Sequence, residues 1–297
     1  MYDTIIVGGG PAGLSAALIL GRCRRRVLVC DSGQPRNAAS HAMHGFLTRD
    51  GIHPAEFLRT AREELGTYDV ELRAIQVSEA RRDGVGFEVT LEDGTRLQCR
   101  KLLLATGIVD RVPNLEGFEP LYGHSVHHCP YCDGWEVRDQ PLAVYGRGKH
   151  GLMFSLTMRR WSQDLILFTD GPALLRKSER EKLKHLEIKL CETRIARLEG
   201  TEGKLERIVL VTDEIIARRA LFFTLGWNQR SDLAARLGCK LTRKAGVHCN
   251  KLGETCVPGL YVAGDTSRDV QLVIVAAAEG TKAAFAINTA LQKQDCA

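Results

Sequence analysis

Cys129 and Cys132 stand three residues apart in Cys129-Pro130-Tyr131-Cys132, and Asp133-Gly134 follows directly. Thiols at this spacing close a small disulfide, and the first turn of a helix beginning there stabilises a thiolate. A carboxylate beside the second thiol, Asp133, is placed to give or take a proton during thiol exchange. The pattern reads as redox-active rather than structural, with Cys129, Cys132 and Asp133 as candidate catalytic residues. Zinc would need a second ligand pair to complete a tetrahedron. Cys249 and Cys256 are seven apart and the neighbouring His127 and His128 point divergently, so no metal is expected. The two histidines read as local hydrogen-bonding groups. A part in titrating the thiols stays open to them, because His changes charge near neutral pH.

A second kind of chemistry is written in glycine. Gly8, Gly10 and Gly13 form a GxGxxG run, Gly8-Gly9-Gly10-Pro11-Ala12-Gly13. The first glycine permits a tight turn, the second lets the backbone approach a pyrophosphate, and the third allows close helix–strand packing. The helix that follows offers unpaired N–H groups and a positive dipole end to phosphates. Asp31 lies 18 residues past Gly13, at a strand end where a carboxylate accepts ribose hydroxyls. This loop is expected to bind a dinucleotide. Gly146, Gly148 and Gly151 repeat the spacing in different company, with Arg147, Lys149 and His150 between them. The next strand ends in Thr169-Asp170-Gly171, where an acid repels a 2′-phosphate and tolerates only the 2′-hydroxyl of NADH. With no Arg cluster for NADPH, the second loop reads as NADH-binding at most, and more simply as binding no nicotinamide nucleotide.

These loops need βαβ units around them. Thr4-Ile5-Ile6-Val7 is a β-branched strand leading into the first loop, a helix rich in Ala and Leu follows, and Val27-Leu28-Val29-Cys30 is the next strand. Near the middle, strand 141–145, a helix reaching about Trp161, and strand 165–168 repeat the design. Leu260-Tyr261-Val262 closes on Ala263-Gly264-Asp265, and an Ala-rich helix runs from Gln271 to about Leu291. Two such units predict an α/β protein with two Rossmann-like, three-layer domains, the second inserted into the first. The expected boundaries give a first domain of residues 1–112 and 241–297, and an inserted second domain of residues 113–240 that carries the cysteine pair.

Composition narrows the class. The chain has 297 residues, 44% hydrophobic and 26% charged, ordinary for a soluble globular protein of about two domains. A formal charge of +5 is mild, and no stripe of basic and aromatic residues suits nucleic acid. The run Arg22, Arg24, Arg25 and Arg26 sits where cations favour a helix C-terminus. No apolar run approaches the ~18 residues of a membrane span, and Met1-Tyr2-Asp3 lacks a signal-peptide start. Ten cysteines in such a chain read as mostly reduced thiols, so a cytoplasmic protein is expected.

Gly8 to Gly13, Ala105-Thr106-Gly107, the CxxC with its Asp-Gly, and Val262-Ala263-Gly264-Asp265 together resemble the low-molecular-weight thioredoxin reductases. They occur in that family's order and span nearly the whole chain. The resemblance implies bound FAD and a homodimer, with a thioredoxin-like protein or a small dithiol or disulfide as substrate. By position, Cys132 would be the thiol facing the flavin, Cys129 the one exchanging with substrate, and Asp133 the acid–base group. Gly8, Gly10, Ala12, Gly13, Asp31, Gly264 and Asp265 would hold FAD. The helix start at Gln271 would sit by the flavin's pyrimidine edge, where its dipole stabilises negative charge.

Departures from that family are equally informative. NADPH-dependent members carry a GxGxxA loop with small residues and a later His-Arg-Arg element, absent here. The family's Gly-x-x-Pro-Asn segment reads Gly226-Trp227-Asn228-Gln229-Arg230, which would crowd a nicotinamide, and the basic residue before the family's flavin-contacting Gln is missing near Gln271-Leu272. The chain looks like the branch that has lost the NADPH site, whose members draw on ferredoxin or a second flavin, or oxidise dithiols. The expected function is a flavin-dependent disulfide/dithiol oxidoreductase. Its rivals are an NADH- or NADPH-fed thioredoxin reductase, an FAD-binding redox sensor without turnover, and an inert FAD-binding protein.

Overall fold

A computed structural model of the chain describes residues 1–84, 86–267 and 270–297. Two compact units divide it: Met1–Ala38, Gly45–Val109 and Trp227–Ala297 in one, Ala39–His44 and Asp110–Gly226 in the other.

The first unit opens with β1 (Tyr2–Val7), α1 (Pro11–Arg22) and β2 (Val27–Cys30). It continues through α2 (Pro54–Leu65), β3 (Glu71–Arg73), β4 (Val77–Asp83), β5 (Gly86–Leu91) and β6 (Arg96–Leu104). The strands lie in the order β3-β2-β1-β6-β5-β4, parallel from β3 to β6 and antiparallel across β5 and β4. Successive residues of a strand face opposite sides, so β1 feeds two cores: Ile6 packs with α1, while Ile5 and Val7 pack with Phe87 and Leu102. All four residues of β2 are buried, as expected for a parallel strand covered on both faces.

From β7 (Ile108–Asp110) the chain enters the second unit: β8 (Val126–His127), α3 (Pro130–Asp133), β9 (Leu142–Tyr145), α4 (Gly148–Met158), β10 (Leu165–Phe168), α5 (Lys177–His185) and β11 (Lys189–Cys191). An antiparallel trio, β12 (Ile195–Thr201), β13 (Lys204–Leu210) and β14 (Ile215–Ala217), precedes β15 (Ala220–Phe223). The parallel sheet has the order β11-β10-β9-β15-β8. Residues 39–44 belong to this unit too: Ala39 O would lie 2.4 Å from a Cβ on Gly123, and the His41 ring stacks on His124 at 5.7 Å.

The chain re-enters the first unit through β16 (Trp227–Gln229), α6 (Leu233–Arg236), β17 (Leu260–Val262) and α7 (Val273–Asp295). Residues 227–240 thus lie in the first unit, with Leu233, Ala234 and Cys239 in its core. β17 pairs with Leu102–Leu104 of β6 beyond the stretch that β5 occupies. α7 lies so close on α1 that a Cβ at Gly280 would fall 1.9 Å from Ala12 O. Among the described residues no helix is long and apolar enough to cross a membrane. The architecture is the mixed α/β, two-domain Rossmann-type fold that the paired βαβ patterns predict.

Candidate functional site

The thiol centre is built at the end of β8. Cys129 caps α3 with extended backbone, Pro130 opens the helix, and the N–H groups of Cys132 and Asp133 donate to Cys129 O at 3.3 and 3.2 Å. This single turn brings the two Cα atoms to 5.3 Å, and Cys129–Cys132 is a disulfide. The remaining eight cysteines are free thiols.

Asp133 is poised for proton transfer. Burial pushes its carboxyl from 3.8 up to about 7; the neighbouring Glu136 carboxylate adds to the rise and His44 opposes it. His44 Nε2 in turn lies 3.5 Å from Glu136 Oε1. His127 Nδ1 stands 3.5 Å from Asp133 Oδ1, yet this ring is only 4% exposed and burial drives it down to about 3. The two values agree physically: burial favours the neutral form of each, so near pH 7 the pair holds a neutral imidazole beside a half-protonated acid. His127 therefore does not change charge near neutral pH, which corrects the titrating role left open for it. The desolvated interior, invisible in the local sequence, is the reason.

A stability consequence follows. The unfolded chain loses the Asp133 proton near 3.8 while the folded chain keeps it to about 7. The stability contributed is full below about pH 4 and is lost as pH rises to about 7, by about 4 kcal/mol. Asp133→Asn, which cannot ionise, is expected to flatten this part of the pH–stability curve, as read from thermal melts across the window.

The glycine loop of the first unit forms a separate site. Gly8 takes φ +110°, its N–H donates to Cys30 O at 2.8 Å, and a Cβ there would meet Ala105 O at 2.3 Å. A Cβ on Gly13 would meet Gly8 O at 1.9 Å, whereas one on Gly10 would meet nothing within 4 Å. Only Gly10 borders open space, at the helix start where phosphates bind. Asp31 lies over Gly9, and its Oδ2 accepts from Arg62 at 2.8 Å. A carboxylate has acceptor capacity beyond one such bond, so it can still serve a ribose hydroxyl. Ala12 touches Gly264, whose N–H donates to Glu279 Oε2 at 3.1 Å. Asp265 pairs with Arg36 at 2.9 Å, and the buried Thr266 hydroxyl accepts the Gly107 N–H at 2.8 Å.

Gly8 and Gly13 pack against each other, Asp31 lies over Gly9, and Ala12 lies near Gly264. The open helix start at Gly10 and the Asp31 carboxylate are of the kinds that suit the pyrophosphate and ribose of FAD. Gln271 stands just before Leu272, the N-cap of α7, whose Ala276 packs on Gly264. Arg36, Arg62, Thr266 and Glu279 were not foreseen. Only Thr266 carried a signal, as the residue after Gly264-Asp265.

The second glycine loop is arranged differently. Arg147 occupies the place that Gly9 has in the first loop. Its Nε donates to Thr169 O at 3.0 Å and its Nη2 to Asp170 O, so the guanidinium spans the ends of β9 and β10. Asp170, at φ +50°, accepts from Tyr145 Oη at 3.1 Å and from Ile195 N at 3.0 Å. Each oxygen of the Asp170 carboxylate thus already serves a donor of the protein itself. The Gly148 N–H is taken by Ala173 O at 2.9 Å.

Comparison with known proteins gives concordant results. Residues 2–280 match the family described as pyridine nucleotide-disulphide oxidoreductase. Thioredoxin reductase aclD of Aspergillus oryzae is 30% identical over 304 residues, covering 97% of this chain and 95% of that one. The crystal structure of HlmI is similar at a TM-score of 0.96 with 36% identity, over 99% and 94% of the two chains. TrxB of Bacillus anthracis gives a TM-score of 0.94 with 31% identity, over 99% and 100%.

Proposed function

Because the chain belongs to the pyridine nucleotide-disulphide oxidoreductase family, in its low-molecular-weight thioredoxin reductase-like group, we propose that this FAD-dependent disulfide oxidoreductase works between its flavin and Cys129–Cys132 without NADPH or NADH. The observation that carries this reading is Arg147. Its guanidinium is bonded to Thr169 O and Asp170 O beside the second glycine loop, and the Asp170 carboxylate accepts from Tyr145 and Ile195, which supports a loop that takes no nicotinamide dinucleotide. A nucleotide ribose would have to compete with Tyr145 and Ile195 for the Asp170 carboxylate.

FAD is held by Gly8, Gly10, Ala12, Gly13, Asp31, Gly264, Asp265 and Gln271, and when bound it supplies two-electron chemistry to the disulfide. Cys129 exchanges with the external thiol or disulfide, and Cys132 is the thiol on the flavin side, following their places in the family motif. In the oxidising direction a substrate thiolate attacks Cys129 Sγ, the Cys129–Cys132 bond breaks, and Cys132 leaves as a thiolate. Asp133, with its carboxyl near 7, gives or takes the accompanying proton at neutral pH. The substrate is a thioredoxin-like protein or a small dithiol or disulfide, and a ferredoxin or second flavin is the electron partner where no dithiol serves. Direction is set by the potentials, since ~30 mV changes this equilibrium tenfold. The protein works as a homodimer in the cytoplasm, a reducing compartment that suits its eight free thiols.

Calorimetric titration of the FAD-bound protein with NADH and NADPH tests the reading. No saturable heat is expected at millimolar nucleotide. Micromolar binding of either would overturn it and make the protein a nicotinamide-fed reductase.

A further inference from the structure

Away from the redox pair, three cysteines gather in the first unit. Residues 239–249 form a tight antiparallel turn: Leu241 bridges Val247, Thr242 N–H donates to Gly246 O at 2.7 Å, and His248 N–H donates to Lys240 O at 2.8 Å. Continued by one position, this register sets Cys249 across from Cys239. The segment before β17 comes in from the other side, and Cys256 Sγ lies 3.7 Å from Gly238 O, the carbonyl that joins Cys239. Cys239 is 8% exposed and Cys256 is exposed.

We propose that Cys256 and Cys239 are a second, oxidant-responsive thiol pair, in which exposed Cys256 meets a hydroperoxide and buried Cys239 resolves it into a disulfide. The pairing of one accessible thiol with a resolving neighbour is the arrangement such chemistry needs. The Cys256 thiolate attacks the O–O bond, giving Cys256 sulfenic acid and releasing the alcohol, or water from hydrogen peroxide. Cys239 sulfur then attacks Cys256 sulfur and displaces the sulfenic hydroxyl, which leaves as water with the proton of the Cys239 thiol. Two thiols are oxidised and one peroxide is reduced. Burial and the neighbouring Cys256 and Cys249 raise the Cys239 thiol, so it stays protonated until the sulfenic acid forms beside it. Among the described residues no three of His, Cys, Asp and Glu are placed to hold a metal, which favours thiol chemistry over ligation. The resulting bond would fasten the segment entering β17, the strand that leads to Gly264 and Asp265.

Lys240 and Lys251 place Cys239, Cys249 and Cys256 on separate tryptic peptides. The FAD-bound protein, with Cys129–Cys132 already oxidised, is treated with equimolar hydrogen peroxide, digested without reductant and mapped by mass spectrometry. The expected result is a Cys239–Cys256 cross-link in most molecules, lost in Cys256→Ser and kept in Cys249→Ser. Both substitutions spare the buried Cys239, so failed folding does not confuse the result. A Cys239–Cys249 link instead, or Cys256 over-oxidised with no link, would overturn the proposal.

Discussion

Cys132→Ser is expected to keep its FAD and to lose electron exchange with disulfides, by ~10^3-fold or more in turnover. Serine cannot form the Cys129–Cys132 bond and its hydroxyl is no thiolate at neutral pH. α3 asks nothing of the second thiol for folding, since its backbone N–H and not its sulfur makes the turn. Flavin absorbance per chain and steady-state disulfide reduction check the two halves of the expectation. Retained turnover would remove Cys132 from the role assigned to it. The same assay separates an enzyme from a sensor, because a sensor oxidises or reduces one equivalent of wild-type protein and stops.

Gly280→Ala carries the next largest effect, on stability and on FAD. The added Cβ would stand 1.9, 2.7 and 3.0 Å from the O, C and Cα of Ala12, all backbone atoms that cannot rotate aside. Helix α7 must therefore move off α1, at a cost of about 3 kcal/mol, the upper range for overpacking. The clash falls at Ala12, between Pro11 and Gly13 at the start of α1, so the phosphate-facing turn shifts with it. A thermal midpoint lowered by several degrees, together with FAD lost on gel filtration, is expected. An unchanged midpoint would mean that α1 and α7 are not held at this contact.

Much of this was legible in the chain because it is local. The tight turn of Gly8, the helix behind it and Asp31 are all fixed within a single βαβ unit, and so is the single turn that closes Cys129 on Cys132. Strand β10 was readable to the residue from its apolar run, and β2 equally. What sequence hid depends on contacts distant along the chain. His127 and His128 look alike as neighbours, yet His127 is buried and neutral while His128 lies 3.8 Å from Asp110. Asp170 looks like a ribose acid until the backbone turns it toward Tyr145 and Ile195. The ion pair of Arg36 with Asp265 joins residues 229 apart in the chain, and no local spacing announces it. Residues 39–44, with His44 near Glu136, carry no motif at all.

The central claim, a flavin–disulfide enzyme that does not draw on nicotinamides, is tested most directly by anaerobic absorbance of the purified yellow protein. NADPH, NADH and then dithiothreitol are added in turn. The flavin is expected to stay oxidised through both nucleotides and to bleach with the dithiol. Fast bleaching by either nucleotide would contradict the account, and would mean that Arg147 and Asp170 yield to a nicotinamide after all.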